Sequence, residues 1–571
     1  MPASSPTANP DTPPSRGFHV VLCLLGSAAC TALAFPPIQL WPAIFIAVML
    51  LIHAARIASS TRSVLLWAFG IYWVVWLWID AWIIDVTGAG WPALAAYMAV
   101  YAGVAVWCLR RFESHPLLRR LPTAWTAPVV FVGLECVRGL VIFDGYAWYL
   151  IGQPLIDAPV LAQLADLFGI WWGSFFVAAV AGLAADVLRP RWRRSGRSGV
   201  IVACLLTASV PYGIWRLSQV EALEPGPAVL AIQTNLPQNN KVRWTTEAMD
   251  RDVASFVALT EEAVGVVGLP DLVVWPETMV PGFGFDPVSR GQLADAGPGF
   301  TYLSRWPLQI EQLAATLDRP MLVGSSTNLE LSVATDSRGS WIEAGQRFNS
   351  AVLVDGRNPV QRYDKVVLTP FGERMPYLEH WPWLEQQLMA IGAGGMKFNL
   401  DASDVVTTID VPDGSAGFSI GTPICFEDTA PGLVRRMVYG DQSILDDGAR
   451  KRVELLINLS NDGWFGAHDA ARVAHSQIAR WRCIENRVPM IRVVNTGDTA
   501  WFDSSGRVVA TAPSRTATWL ECSPQLDLRS TIFGTMFGNV LAWTMLLSLF
   551  CTLLSSVIRP IEETSTNEST S

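Results

Sequence analysis

The chain has 571 residues, of which 51% are hydrophobic and only 16% charged, with 25 tryptophans and a mean hydropathy of +0.31. A soluble protein carries about a quarter charged residues, so a purely soluble chain is excluded, and the length exceeds one ordinary domain. The formal net charge of −9 also excludes the basic face that a nucleic-acid backbone demands.

Residues 1–17 are rich in Pro, Ser and Thr and read as a disordered cytoplasmic N-terminus. Apolar runs follow at about 18–35, 39–57, 63–84, 90–109, 122–143, 168–188 and 199–216, each near the roughly 20 residues that cross a bilayer. They define a seven-helix membrane domain over 18–220, and an eighth run at 531–558 precedes a polar tail at 559–571. Arg56 and Arg62, then Arg110, Arg111, Arg119 and Arg120, then Arg189, Arg191, Arg193, Arg194 and Arg197 fall in alternate loops. The loops between them carry Asp80 and Asp85, or Asp144, Asp157 and Asp166. Positive loops stay in the cytoplasm, so both termini are expected inside and the large segment before the eighth run outside.

Residues 225–525 have globular composition. Strand-like runs at Ala228–Asn235, Asp271–Trp275, Pro320–Gly324, Ala351–Val354, Gly417–Ile424, Glu454–Leu459 and Met490–Asn495 alternate with helical patterns at 246–265, 430–438 and 468–486. That alternation predicts an α/β or α+β sandwich. Leu331–Phe348 reads as a surface excursion. Cys23, Cys30, Cys108, Cys136, Cys204 and Cys551 lie in apolar runs, leaving Cys425, Cys483 and Cys522; without a CxxC pair, neither a zinc site nor a disulfide framework is indicated.

Three stretches share one form, an apolar strand that ends on a reactive residue. Leu272-Val273-Val274-Trp275-Pro276 leads to Glu277, Arg362-Tyr363-Asp364 leads to Lys365 and on to Glu373, and Phe418–Ile424 leads to Cys425 with Glu427 and Asp428 behind it. Strand ends are where side chains converge on a cleft. A carboxylate accepts a thiol proton, and an ammonium stabilises both thiolate and oxyanion. Asp428 or Thr429 is expected to cap the helix that follows Cys425, whose dipole favours a thiolate. A free cysteine is by itself more often a core residue, and only the three groups together point to a reactive thiol.

Gly417-Phe418-Ser419-Ile420-Gly421 also matches the G-x-S-x-G elbow of serine hydrolases, with His468 and His475 as available bases. That elbow needs a sharp turn directly after the serine, whereas apolar sequence continues through Ile424, so Ser419 is read as a structural neighbour.

WPET, YDKxxLTPFGE, CFED and Asn458-Leu459-Ser460-Asn461-Asp462-Gly463-Trp464-Phe465, in that order, resemble the nitrilase (carbon–nitrogen hydrolase) superfamily. Set on seven spans with an eighth behind, the whole chain is similar to the bacterial apolipoprotein N-acyltransferase family. Phe35-Pro36-Pro37 through Trp41-Pro42, and Glu135-Cys136-Val137-Arg138-Gly139, carry the likeness into the membrane half. The resemblance implies a membrane domain of about eight helices joined to an αββα sandwich. It further implies Glu277 as general base, Lys365 as oxyanion stabiliser and Cys425 as nucleophile, with Glu373 and Glu427 in support and Trp244 and Trp464 near the substrate. Phe426 stands where other members carry a hydroxylated or polar residue, leaving only its backbone N–H to serve the oxyanion.

The activity so implied is ping-pong transfer of an acyl chain from a membrane phospholipid, through a Cys425 thioester, to the N-terminal amine of a diacylglyceryl-cysteine lipoprotein. No metal or cofactor is implied; the partners are both lipids and the bilayer, and the expected form is a monomer in the bacterial inner membrane with its catalytic domain on the periplasmic face. A tethered amidase using water, or a non-catalytic scaffold or transporter, are the alternatives. Glu135 and Arg138, costly in or near a span, are expected to pair with each other or to meet a lipid head group. His380-Trp381-Pro382-Trp383-Leu384 and Leu388-Met389-Ala390-Ile391 read as a core helix or as an arm touching the bilayer.

Overall fold

The computed structural model describes residues 16–188, 192–219, 223–237, 244–337, 339–358, 360–377, 383, 400–412, 417–440 and 450–558. Most of residues 1–17, Arg189, Arg191, nearly all of the apolar stretch at 380–391 and the tail at 559–571 therefore lie outside the described residues.

Helices Arg16–Ala34, Thr61–Ile79, Gly90–Ser114, Thr123–Asp144, Trp171–Leu188 and Arg193–Ser218 are long and apolar enough to cross a membrane. The two other expected spans are also helical. Ala43–Ile57 has 15 residues, which is short for a hydrocarbon core, and Val540–Ile558 closes the described chain. The fifth helix is not straight: regular turns end at Cys136, a wider turn spans Val137–Val141, and the chain corners at Phe143 and Asp144, both with positive φ.

The basic loops gather at one end of the bundle. Arg56 pairs with Glu113 at 2.8 Å and Asp186 at 2.7 Å, and Arg194 reaches the same two carboxylates at 3.0 and 3.4 Å. The acidic and neutral loops, 80–85 and 144–170, meet the strand-rich half instead. There Arg480 holds Asp157, Arg487 holds Asp166 at 2.8 Å, and the Ile170 N–H donates to Glu485. Ala471, Ala474, Ile478 and Trp481 of helix Asp469–Asn486 join the same apolar core as the membrane helices.

The other half contains fourteen strands among the described residues, β1 (Leu223–Pro225), β2 (Val229–Gln233), β3 (Leu272–Val274), β4 (Met321–Asp336), β5 (Gly339–Val354), β6 (Gln361–Asp364), β7 (Ile409–Val411), β8 (Phe418–Gly421), β9 (Leu455–Ser460), β10 (Met490–Val494), β11 (Ala500–Phe502), β12 (Val508–Thr511), β13 (Thr518–Cys522) and β14 (Gln525–Asp527). One six-stranded sheet runs β13-β2-β3-β4-β5-β6, the other β12-β11-β10-β9-β8-β7, and β1 pairs with β14. Alternation along the strands decides the layers. Val229 and Ala231 face Ile457 and Val493 across the sandwich, while Leu230 and Ile232 pack outward with Phe256 and Ile310 of the helices Thr246–Val267 and Arg305–Leu317. Val434, Val438, Ala479 and Cys483 cover the outer face of the second sheet. The result is the αββα order that the resemblance implies. Leu331–Phe348 is a surface excursion with regular structure: β4 and β5 stay paired out to Asp336 and Gly339, with their ends exposed.

Candidate active site

Two sheets supply the groups that converge. On the first, β3 ends at Val274, and Pro276 carries the chain to Glu277, which is 6% exposed. Gly324 of β4 makes room for this crossing: a Cβ there would collide with the Pro276 carbonyl and the Glu277 Cα. Asn349 Nδ2 of β5 donates to Glu277 Oε1 at 2.7 Å and to Glu373 Oε1 at 3.1 Å, so one amide fixes both carboxylates. Lys365 follows β6, its backbone N–H donating to the Asn349 carbonyl. Its ammonium is fully buried and lies 2.7 Å from Glu373 Oε2, which also accepts the Thr369 N–H at 2.9 Å. Burial alone would pull the Lys365 ammonium down; Glu373, Cys425, Glu277 and Glu427 outweigh it and hold it above the ordinary lysine range. Burial likewise pushes Glu373 up, but Lys365 and its hydrogen bonds win and hold it low.

On the second sheet, β8 ends at Gly421 and residues 422–424 carry the chain to Cys425, which takes a left-handed φ of 51° at the start of a short 3-10 turn, Cys425–Thr429. Asn458 Nδ2 of β9 grips this corner by the Pro423 carbonyl at 3.0 Å and the Cys425 carbonyl at 3.3 Å. The thiol is not pre-ionised by a helix. Burial first, and Glu277 next, raise it well above its ordinary value against the pull of Lys365. The α-helix begins only at Pro431, with Ala430 as a cap that makes no side-chain bond. Asp428 is turned away from it and meets His475 Nε2 at 2.9 Å.

Glu427 joins the halves. Its Oε1 accepts from Tyr363 Oη at 2.8 Å and from the Val366 and Val367 N–H groups at 2.7 and 2.9 Å, while Oε2 accepts the Ile424 N–H at 2.8 Å. Burial raises it to about 7 against Lys365 and these donors. Behind Cys425 lies a second buried cluster. His475 bridges Asp428 and Arg492, and Arg492 holds Asp462 through two bonds at 2.9 and 3.1 Å. The indole of Trp148, from the membrane half, packs on His475 at 5.4 Å between ring centres.

The other expected site residues divide. Half-buried Trp464 sits in the turn after β9 with Asp462, and Phe426 is 7% exposed, packed with Phe465 into the membrane-half core. Trp244 bonds Asp252 and packs under the outer helix of the first sheet; no described contact joins it to Glu277, Lys365 or Cys425. Glu135 and Arg138 each grip one loop rather than each other. Glu135 accepts the Ile151 N–H at 2.6 Å, and Arg138 donates to the carbonyls of Trp148 and Tyr149 at 2.6 and 3.2 Å. The Ser419 hydroxyl donates to Asp410 at 2.5 Å on the neighbouring strand, with no elbow. Nothing in the sequence marks Asn349 or Arg492, while Tyr363 stands there only as part of the strand before Lys365 and His475 only as an available base for Ser419; the structure gives Tyr363 to Glu427 and His475 to Asp428 and Arg492.

Residues 235–530 match the carbon-nitrogen hydrolase family, and residues 27–183 match the apolipoprotein N-acyltransferase N-terminal domain. The chain is similar to the apolipoprotein N-acyltransferase of Geobacter metallireducens, at 30% identity over 79% of this chain and 76% of that one. It is likewise similar to those of Methylococcus capsulatus, at 30% over 75% and 73%, and Rhodopirellula baltica, at 28% over 91% and 92%.

Proposed function

The chain belongs to the apolipoprotein N-acyltransferases, and on that premise we propose that its acyl transfer runs through Glu277, Lys365 and Cys425. The enzyme is an acyltransferase that N-acylates lipoproteins, with a lipid as acyl donor. The observation that carries the mechanism is a fully buried Lys365, locked to Glu373, beside a thiol held above its own range. Such a thiol needs a base, and such an ammonium is a fixed positive charge for an oxyanion.

Cys425 gives its proton to Glu277 and attacks the ester carbonyl of a phospholipid. Lys365 and the Phe426 N–H hold the oxyanion. Collapse breaks the ester C–O bond, Glu277 protonates the departing lysophospholipid oxygen, and the acyl group remains as a thioester. The α-amine of a diacylglyceryl-cysteine then attacks; its surplus proton passes to Glu277, the C–S bond breaks, and Glu277 returns the proton to the Cys425 sulfur. The catalytic domain faces the periplasm, a reading supported by the basic loops gathering at the opposite end of the bundle. The working unit is a monomer of eight spans in the inner membrane. Trp464 and the 146–151 loop held by Glu135 and Arg138 line the approach of the lipids.

Intact mass after incubation with phospholipid vesicles tests this. An acyl-sized adduct mapped to Cys425, discharged by a lipopeptide amine and only slowly by water, is the expected result. Full activity in Cys425→Ala would sink the mechanism, and fast discharge by water would favour an amidase.

A further inference from the structure

The turn that carries Glu373 is held from two sides. Inside, Glu373 meets Lys365 and Thr369, and the turn closes on itself through Phe371 N–H to the Arg374 carbonyl at 2.8 Å and Glu373 N–H to the Thr369 carbonyl at 2.9 Å. Outside, it touches the corner of the fifth membrane helix. The Phe371 ring lies 5.1 Å from that of Phe143, edge to face, and the Tyr377 ring lies 5.7 Å away. Tyr377 Oη accepts the Phe143 backbone N–H at 3.1 Å, and Arg374 reaches Asp144 at 3.4 Å.

Backbone conformation marks the contact as specified. Phe143, Asp144, Phe371 and Tyr377 all have φ between 57° and 65°. Non-glycine residues rarely occupy this region, and they persist there where surroundings over-determine them. On the membrane side the corner is fixed in turn, since Phe143 packs on Tyr97 of helix Gly90–Ser114 at 5.4 Å. A continuous path thus runs from two membrane helices through Phe143 and Asp144 to the turn bearing Glu373, and from Glu373 to Lys365.

The geometry points to a clasp: Asp144 and Arg374, with Phe143, Phe371 and Tyr377, are positioning residues through which the membrane bundle holds Glu373, and hence Lys365, in register with Cys425. This rests on the reading of Lys365 and Cys425 as the reactive pair. Neither Asp144 nor Arg374 touches the reacting atoms in this scheme. Their ion pair is half exposed, so its effect is bounded at about one power of five and is weakened by salt.

The test is a double-mutant cycle on the full chain in phosphatidylethanolamine–phosphatidylglycerol vesicles, reading the first-turnover rate of Cys425 acylation by intact mass. Asp144→Asn and Arg374→Gln should each slow acylation about fivefold at saturating donor, with the donor KM and the melting temperature unchanged. The double variant should be no slower than the slower single. Tyr377→Phe, a milder change, should slow the step about twofold to fivefold. Wild-type rates in both singles, effects that multiply in the double, or losses that track melting temperature would overturn the clasp alone. Absence of any Cys425 adduct in the unsubstituted enzyme would overturn the reactive pair and the clasp with it.

Discussion

The two sheets of the sandwich are built from similar strands yet bring different chemistry to the cleft. The first sheet delivers Glu277, Asn349, Lys365 and Glu373, a chain of charges in which one amide and one ion pair set every position. In the proposed mechanism these groups exchange or oppose charge. The second delivers Cys425 on a strained turn and, behind it, Asp428, His475, Asp462 and Arg492, all at most 1% exposed and bonded to one another. Such a sealed network rigidifies a support and takes no direct part in proton traffic. Glu427 spans the two. The carboxylate Glu277 and the thiol Cys425 are thus held by separate sheets, and Glu427, bonded to both sides, fixes their relative position.

Lesions in the first sheet should then strike rate, and lesions in the second, stability. Glu277→Gln keeps the bond from Asn349 but cannot take the thiol proton, so Cys425 acylation should fall by about 10²–10⁴ with little change in melting temperature. Arg492→Met leaves Asp462 buried without its cation and should cost about 3–5 kcal/mol of stability by denaturant titration. The rate per folded molecule should change far less; a rate loss as large as that of Glu277→Gln would break the comparison.

Glu427→Gln belongs to both classes. The amide would set an N–H against either the Ile424 N–H or the Tyr363, Val366 and Val367 donors, so both rate and stability should drop, the latter by about 1.5–3 kcal/mol. The same residue gives a pH signature. Glu427 is raised from 4.5 to about 7, so the folded chain keeps a proton that the unfolded chain has released. Its stabilising contribution is full below about 4.5 and is lost as the pH rises through about 7. Thermal melts of wild type and Glu427→Gln across that window should show the wild-type advantage shrinking and then levelling above pH of about 8. A gap that widens with pH would reverse the assignment. Ser419→Ala, on the second sheet but outside its network, should alter neither rate nor stability by more than about 0.5 kcal/mol.

Much of this was legible in the sequence because it is written in local patterns. Runs of about 20 apolar residues announced helices, and short apolar β-type runs announced strands such as β2 and β9 near their true bounds. Lys365 sits directly after β6, and Glu277 and Cys425 sit within four residues of the ends of β3 and β8, positions that local sequence reveals. Three features needed the folded chain, because packing and not local pattern sets which groups meet. The thiol's environment turned on burial and on Glu277 rather than on an adjacent helix dipole, since Asp428 is committed to His475 and the helix starts at Pro431. Glu135 and Arg138, neighbours on one helix, satisfy separate groups of a loop that packs against them. Asn349, anonymous in its strand, fixes two carboxylates because β5 passes between β3's end and the Glu373 turn. Local pattern in the chain sets which elements form and which reactive residue follows each strand. What each polar group faces is set by packing, because burial and pairing arise only when separate elements are brought side by side.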